Sequence, residues 1–132
     1  MSQSDTDALK AANLAYYRAL SARDIGAMRE VWSRAADNIL IAPPVNPQTY
    51  LGWEAIEKNW EGYWPRFSEF SVTMQTTSIS INGPVAWVHG IETSQRRSRS
   101  GEATHSTNLG INIFVYQAGR WLMVFHQSVA MR

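Results

Sequence analysis

The first part of the chain repeats apolar residues with the period of an α-helix. The spacing of these residues predicts an amphipathic first helix that ends near Ala22, and its apolar positions are Leu9, Ala12, Tyr16 and Leu20. A second, shorter pattern begins after Asp24, a good N-cap residue, with apolar positions at Ile25, Met28, Val31 and Trp32. The amino-terminal region is therefore predicted to form a bent pair of helices.

A third helix is predicted after a short strand and a loop. Ile39–Ile41 is a β-branched run that stops at Pro43, and the segment up to Tyr50 contains Pro47, which favours a loop. The helical pattern returns after Gly52 and ends at Pro65; its apolar side is formed by Trp53, Ile56, Trp60 and Trp64. These aromatic residues can form either a wall for a flat apolar ligand or the core beneath a sheet.

From Phe70 onward the apolar residues alternate, which predicts β-strands. Turn signals at residues 82–84, near Gly101 and at residues 117–120 divide this region into four antiparallel strands. The apolar positions of the first strand change from even numbers, up to Met74, to odd numbers from Ile79. Because a flat strand cannot bury both sets on one face, we expect a bulge between Met74 and Ile79.

The last two strands have two apolar faces. Pairing Tyr116 with Trp121 places on one face Leu109, Ile111, Ile113, Val115, Leu122, Val124, His126 and Ser128. The opposite, outer face would carry Gly110, Asn112, Phe114, Tyr116, Trp121, Met123, Phe125 and Gln127. The helices can cover one face, so we expect a homodimer in which the outer sheet faces of two subunits pack together.

Composition and charge narrow the class of protein. The length of 132 residues predicts a single domain over 1–132, and a net charge of +1 argues against a nucleic acid or membrane partner. The absence of cysteine excludes thiolate catalysis and iron–sulfur clusters. The three histidines match no short metal-ligand motif, so no metal and no cofactor are expected. The acidic amino terminus and the lack of a long apolar run favour a cytoplasmic location.

The order of these elements resembles the SnoaL-like branch of the nuclear-transport-factor-2-like (NTF2-like) superfamily, which includes ketosteroid isomerases, polyketide cyclases and scytalone dehydratase. The resemblance rests on residues 17–20, Asp24-Ile25, Trp32, Gly52–Ile56, Val85–Val88 and Gly119–Ser128. It implies an α+β fold: a cone-shaped, strongly curved antiparallel sheet is wrapped around three amino-terminal helices, encloses an internal apolar pocket and commonly dimerises through its convex side.

The resemblance also allows the catalytic groups of ketosteroid isomerases to be compared with this sequence. The general-base aspartate of ketosteroid isomerases would fall near Pro43, and their protonated carboxylic acid near Ile111, so neither group is present in this sequence. Tyr17 matches the tyrosine that donates to the oxyanion in those enzymes. Only one of three groups remains, which argues against steroid isomerisation by that mechanism.

The candidate site combines these predictions. His126 is the candidate acid–base group and Tyr17 the candidate oxyanion donor, while the alternative for His126 is a buried neutral histidine that serves packing. His89 can lie on either sheet face. The remaining predicted pocket residues are Ile56, Trp60, Trp64, Ile111, Ile113, Val124 and Ser128. We expect a small-molecule-binding protein whose pocket could support isomerase, dehydratase or cyclase chemistry without a metal; the alternative is a non-catalytic dimerisation or association domain.

Overall fold

A computed structural model of the chain describes residues 3–34, 37–41 and 48–131. The predicted helices are present as α1 (Gln3–Ala22), α2 (Ile25–Val31) and α3 (Trp53–Tyr63). Asp24 caps α2 as predicted, because its carboxylate accepts a hydrogen bond of 3.0 Å from the backbone N–H of Ala27. After α3, a single 3-10 turn (Trp64–Arg66) leads into the sheet. None of the described helices is both long and apolar enough to cross a membrane.

The described strands form one curved sheet in the order β2-β1-β6-β5-β4-β3. Their bounds are β1 Ile39–Ile41, β2 Thr49–Leu51, β3 Phe67–Asn82, β4 Val85–Ser98, β5 Ala103–Gln117 and β6 Arg120–Ala130. Neighbouring strands are antiparallel except β1 and β6, which are parallel. The predicted α+β architecture is confirmed. The structure also contains strand β2, most of which lies in a segment that was predicted to be a loop. The position of Pro43, where the isomerase aspartate would fall, lies outside the described residues.

Two irregularities bend the long strands. The register of β3 against β4 shifts between Thr76 and Ser78, which confirms the predicted bulge between Met74 and Ile79. The register of β5 against β6 also shifts, because Phe114 pairs with Met123 whereas Ile113 pairs with Phe125. Val124 is therefore an extra residue in β6, and this second bulge was not predicted.

The bulge at Val124 makes part of the predicted face assignment wrong. Paired residues of an antiparallel ladder share a face, and one inserted residue reverses every side chain beyond it. His126 pairs with Asn112, and Ile111 pairs with Gln127, so His126 and Ile111 lie on opposite faces. Ile113 lies on the same face as Ile111, away from the helices.

The inner face of the sheet packs on the helices and holds the core. Phe114 and Met123, which were expected on the outer face, are fully buried with Leu9, Tyr16 and Trp32. The apolar residues that remain on the outer face include Trp87 and Leu109, whose exposed fractions are 40% and 38%. An apolar outer face is therefore present; it keeps Phe125 of the predicted apolar residues, whereas Phe114, Tyr116, Trp121 and Met123 lie on the inner face.

Candidate functional site

A group of polar side chains is buried where α1 crosses the inner face of the sheet. We call this group the polar network; it consists of Asn13, Tyr17, Glu92, Asn112, His126 and Ser128. Each member is less than 10% exposed. Because buried polar groups are costly without partners, the network has to be internally hydrogen-bonded, and its geometry satisfies this requirement.

Glu92 is the acidic member of the network. Tyr17 donates its hydroxyl to Oε2 at 2.6 Å, and Ser128 donates to Oε1 at 2.6 Å. Gly110, on the adjacent strand, leaves the space that the carboxylate occupies, since a Cβ at this position would lie 2.7 Å from Glu92 Cδ. The carboxylate is thus held by one hydroxyl from a helix and one from a strand.

The hydrogen bonds of Asn112 determine the proton position on His126. The amide nitrogen of Asn112 donates to Asn13 Oδ1 at 2.8 Å and to the hydroxyl oxygen of Tyr17 at 3.0 Å. Its amide oxygen must therefore accept from His126 Nδ1, 2.6 Å away. The neutral imidazole then carries its proton on Nδ1, and Nε2 has a free lone pair. Nε2 lies 3.9 Å from Glu92 Oε2.

Burial and charge act in opposite directions on His126. Burial lowers the pKa of the imidazole below its ordinary value, and the nearby Glu92 carboxylate raises it by a smaller amount. Burial, followed by the charge of Glu92, raises the pKa of Tyr16 and that of Tyr17. At neutral pH both tyrosines are therefore hydrogen-bond donors, and His126 is a neutral base.

A small cavity adjoins the polar network. It is lined by Tyr16, Leu20, Leu40, Trp60, Tyr63, Phe70, Val72, Glu92, Ser94, Arg96, Asn108, His126 and Ser128. The cavity has a volume of about 50 Å³, which is small beside the roughly 300 to 1,000 Å³ of pockets that take drug-sized ligands. Its hydrocarbon and aromatic lining comes from α1, β1, α3 and β3, in agreement with the predicted apolar pocket, and β4, β5 and β6 add polar side chains.

Several hydrogen-bond donors at the cavity lack a protein partner. The hydroxyl of Tyr16 and the indole Nε1 of Trp60 are buried, and neither has a hydrogen-bond partner among the residues that the structure describes. Arg96 donates from Nη1 to the hydroxyl of Tyr63 at 2.9 Å. Tyr16 also packs on His126, with ring centroids 4.9 Å apart. A group bound beside His126 would therefore also be within reach of Tyr16.

The structure brings together some of the predicted site residues. Trp60, His126 and Ser128 line the cavity. Ile111 and Ile113 lie on the outer face, so the prediction that they share a face with His126 is wrong. Val124 is the bulge residue of β6 and does not line the cavity.

The remaining predicted residues lie outside the cavity lining. Tyr17 donates to Glu92 and lines a separate groove between α1 and β3. Ile56 and Trp64 belong to the core, where Trp64 stacks on Trp60 with centroids 5.6 Å apart. His89 pairs with Ile111 and therefore lies on the outer face.

Sequence reasoning missed Glu92, Asn112 and Tyr16 as site residues. On β4 the odd-numbered positions, such as Trp87 and Ile91, are as apolar as the even-numbered ones, so alternation does not show that Glu92 points inward. One signal was available: Glu92 is the only acidic residue of β4 and directly follows its apolar half, and Gly110 on the next strand leaves space for a buried carboxylate.

The fold and the site define the class of protein: an NTF2-like α+β fold with a pocket between its helices and the inner face of its sheet. A model of the SnoaL-like domain matches residues 9–132, so the chain belongs to the SnoaL-like domain family. No curated protein matches the chain in sequence. Among the described residues, no group of three or more histidine or acidic side chains is arranged to hold a metal ion.

Solved structures with this fold carry several functional names. A protein from Streptomyces avermitilis, assigned as a dehydratase of the NTF2-like family, is 15% identical, with a TM-score of 0.88 and 99% of each chain covered. A ketosteroid isomerase-like protein from Erwinia carotovora atroseptica is also 15% identical, with a TM-score of 0.85 and 99% of each chain covered.

A third structure is assigned as a calcium/calmodulin-dependent protein kinase type II association domain, from Thiobacillus denitrificans. It is 21% identical with a TM-score of 0.76, and the alignment covers 93% of this chain and 94% of that one. At these identities, the three structures establish a shared fold only. The activity of this chain has to be argued from the residues of its own site.

Proposed function

We propose that the protein binds a small organic molecule in the cavity and transfers a proton to or from it, with His126 as the acid–base group. The observation that carries this proposal is the neutral imidazole at the cavity, with its proton held on Nδ1 by Asn112 and its Nε2 lone pair free. A base that is neutral near pH 7 is suited to accept a proton in that range.

The chemistry that fits these groups is proton abstraction beside a carbonyl. Nε2 of His126 takes the proton from the carbon, the C–H electron pair becomes the C=C bond of an enolate, and the carbonyl oxygen acquires the negative charge. Tyr16 supports this step because its hydroxyl, which has no described partner, can donate to that oxygen. Transfer of this proton from His126 to another carbon gives isomerisation. Transfer to a β-hydroxyl, which leaves as water when its C–O bond breaks, gives dehydration.

The roles of the two tyrosines differ from the initial expectation. The hydroxyl proton of Tyr17 is already directed at Glu92, so Tyr17 holds the carboxylate in place rather than meeting the substrate oxygen. Glu92 Oε2, 3.9 Å from Nε2, stabilises the imidazolium that forms when His126 takes a proton. We therefore assign the donor role to Tyr16 and a positioning role to Tyr17.

Exchange of carbon-bound protons in D₂O tests the proposal without knowledge of the full reaction. The purified protein is incubated with a panel of short 2-oxo and 3-oxo compounds, and loss of the α-proton signal is followed by NMR. We expect His126→Gln to slow exchange by about 10² to 10⁴ fold, the usual contribution of a general base. Tyr16→Phe removes only the unpartnered hydroxyl and should slow it by about 10² to 10³ fold.

His105→Gln provides the matched control, because His105 is exposed on β5 and lies outside the cavity. This variant should exchange at the wild-type rate. The proposal is wrong if no compound in the panel exchanges above the buffer rate, or if His126→Gln and Tyr16→Phe both fold and keep full exchange.

A second candidate function is supported by the outer sheet face. Its exposed apolar residues include Val85, Trp87, Leu109 and Val129. We propose that two copies of the chain pack through this face as a homodimer. If the cavity binds nothing, this interface makes the protein a non-catalytic association domain, a role that the name of the Thiobacillus denitrificans relative also suggests.

A further inference from the structure

The unpaired polar groups at the cavity are mainly hydrogen-bond donors. Tyr16 offers a hydroxyl and Trp60 an indole N–H, both buried and without a described partner. The oxygens of Glu92, by contrast, already accept from Tyr17 and Ser128. A ligand that satisfies this wall must therefore bring acceptor oxygens.

Arg96 adds a positive charge to these donors. Its side chain is partly buried, and its guanidinium donates to the hydroxyl of Tyr63. Among the residues that the structure describes, no carboxylate lies within 4.0 Å of this guanidinium. A partly desolvated cation is stabilised by an anion, and the planar guanidinium matches a carboxylate with two parallel hydrogen bonds.

The positions of Glu92 and Arg96 along β4 indicate how a ligand would be oriented in the cavity. Glu92 and Arg96 are four residues apart on the same face of the strand, so their Cα atoms are separated by about 13 Å at roughly 3.3 Å per residue. Both side chains line the cavity, so a carboxylate bound at Arg96 places the rest of a short ligand between Arg96 and Glu92. The opposite end of the ligand then lies beside His126 and Tyr16.

We infer that the cavity takes a short-chain organic acid, whose carboxylate binds Arg96 and whose carbonyl end lies beside His126 and Tyr16. This inference deepens the proposed function and rests on it. The volume of about 50 Å³ favours a ligand of a few carbon atoms, since pockets that take drug-sized ligands measure roughly 300 to 1,000 Å³. A flat apolar ligand, which the tryptophans of α3 suggested from sequence, lacks the carboxylate that would bind Arg96.

A binding experiment compares acids with neutral molecules of the same shape. The probes are butyrate, 2-oxobutyrate and crotonate, each paired with its primary amide. Binding is read from the indole N–H signal of Trp60 in a ¹⁵N-labelled sample, which Trp60→Phe assigns. We expect the acids to shift this signal in a saturable manner and the amides to bind at least tenfold more weakly.

Variants of two adjacent arginines test the assignment of the charge. Arg96→Gln should raise the dissociation constant of the acids by about 10 to 100 fold, because a hydrogen-bonded charge pair is lost. Arg96→Lys keeps the charge without the planar fork and should give a smaller increase. Arg97→Gln is the matched control, since Arg97 is exposed, pairs with Glu69 at 3.0 Å and should bind the acids as the wild type does.

The outcomes separate this inference from the proposed function. Equal binding of acids and amides, unchanged in Arg96→Gln, overturns the organic-acid inference and leaves a neutral ligand for the same cavity. Binding that depends on Arg96 without proton exchange in D₂O supports the ligand class and removes the proposed chemistry. If no acid and no amide shifts the Trp60 signal at millimolar concentration, the inference is wrong.

Discussion

At the residue scale, His126 shows how the surroundings determine the chemistry of a side chain. The imidazole is 4% exposed, and Asn112 holds its Nδ1 proton. Desolvation opposes the charged form, and Glu92 at 3.9 Å favours it more weakly, so the pKa of His126 is lowered. The residue is thus both a buried neutral histidine and a candidate base, and the two interpretations left open by the sequence are compatible.

The lowered pKa of His126 predicts how stability depends on pH. In the unfolded chain the imidazole binds a proton below about pH 6.5, whereas in the folded protein it does so only at a lower pH. Between these two pKa values the unfolded state holds more protons, so the free energy of unfolding rises with pH. The contribution is fully present above pH 6.5 and is lost as the pH falls towards the folded-state pKa.

Urea unfolding at pH 7.5 and pH 5.5 measures this dependence. The contribution from one proton is at most about 1.4 kcal/mol per pH unit. In His126→Gln this part of the dependence should disappear, while His105→Gln should keep it because His105 is exposed. An unchanged dependence in His126→Gln would show that the imidazole is not desolvated in the folded protein.

At the scale of elements, the inner faces of β4, β5 and β6 meet α1 to build the site. In a regular strand, Met123 and His126 would lie on opposite faces. The bulge at Val124 lets both side chains point inward, so that His126 faces Asn112 and α1. Gly110 then gives Glu92 the space to reach Ser128 across the sheet. The site therefore depends on one inserted residue and one missing side chain.

Gly110→Ala tests the close packing of these strands. The new Cβ would lie 2.7 Å from Cδ and 2.9 Å from Oε2 of Glu92, so the carboxylate would have to move. We expect the free energy of unfolding to fall by about 1 to 3 kcal/mol, the usual cost of overpacking. Urea unfolding measures this loss, and proton exchange in D₂O should slow at the same time because Glu92 no longer faces His126.

Gly62→Ala is the control for the glycine substitution itself. Gly62 is exposed in α3, and a Cβ there would meet no atom within 4 Å. This change should leave exchange unaffected and raise stability by up to about 1 kcal/mol, because alanine is the better helix former. Wild-type stability and exchange in Gly110→Ala would contradict the proposed arrangement of Glu92.

At the scale of the whole molecule, the inner face of the sheet carries the candidate site, and the outer face is the one proposed for the homodimer. Trp87, Ile113 and Phe125 form a row across β4, β5 and β6 on the outer face. Of the residues predicted for the interface, Phe125 belongs to this row, whereas Phe114 and Met123 are buried core residues. The proposed homodimer thus uses side chains that do not contribute to the cavity.

Trp87→Lys should weaken the proposed dimer. The substitution removes a large exposed apolar side chain and places a charge where two apolar faces would meet. Sedimentation velocity at micromolar concentration should show a dimer for the wild type and a shift towards monomer for the variant. Leu14→Lys, at an exposed apolar residue of α1 rather than of the sheet, should remain dimeric. A monomeric wild type would contradict the proposed interface.

The sequence by itself determined the elements of this protein, because their signals are local. The periodicity around Leu20, the cap at Asp24 and the parity change after Met74 predicted α1, α2 and the bulge of β3. These features depend on residues within a few positions of each other. The order of the elements was also sufficient to suggest the family that the chain belongs to.

Only the tertiary structure decided which side chains meet. The bulge in β6 has no local signal, since both faces of β5 and β6 are apolar, and a single inserted residue exchanges the faces beyond it. The sequence therefore grouped His126 with Ile111, whereas the fold places it with Asn112 and Glu92. Glu92 lies 75 residues from Tyr17 and 36 from Ser128, and contacts at such separations arise from strand register and helix packing.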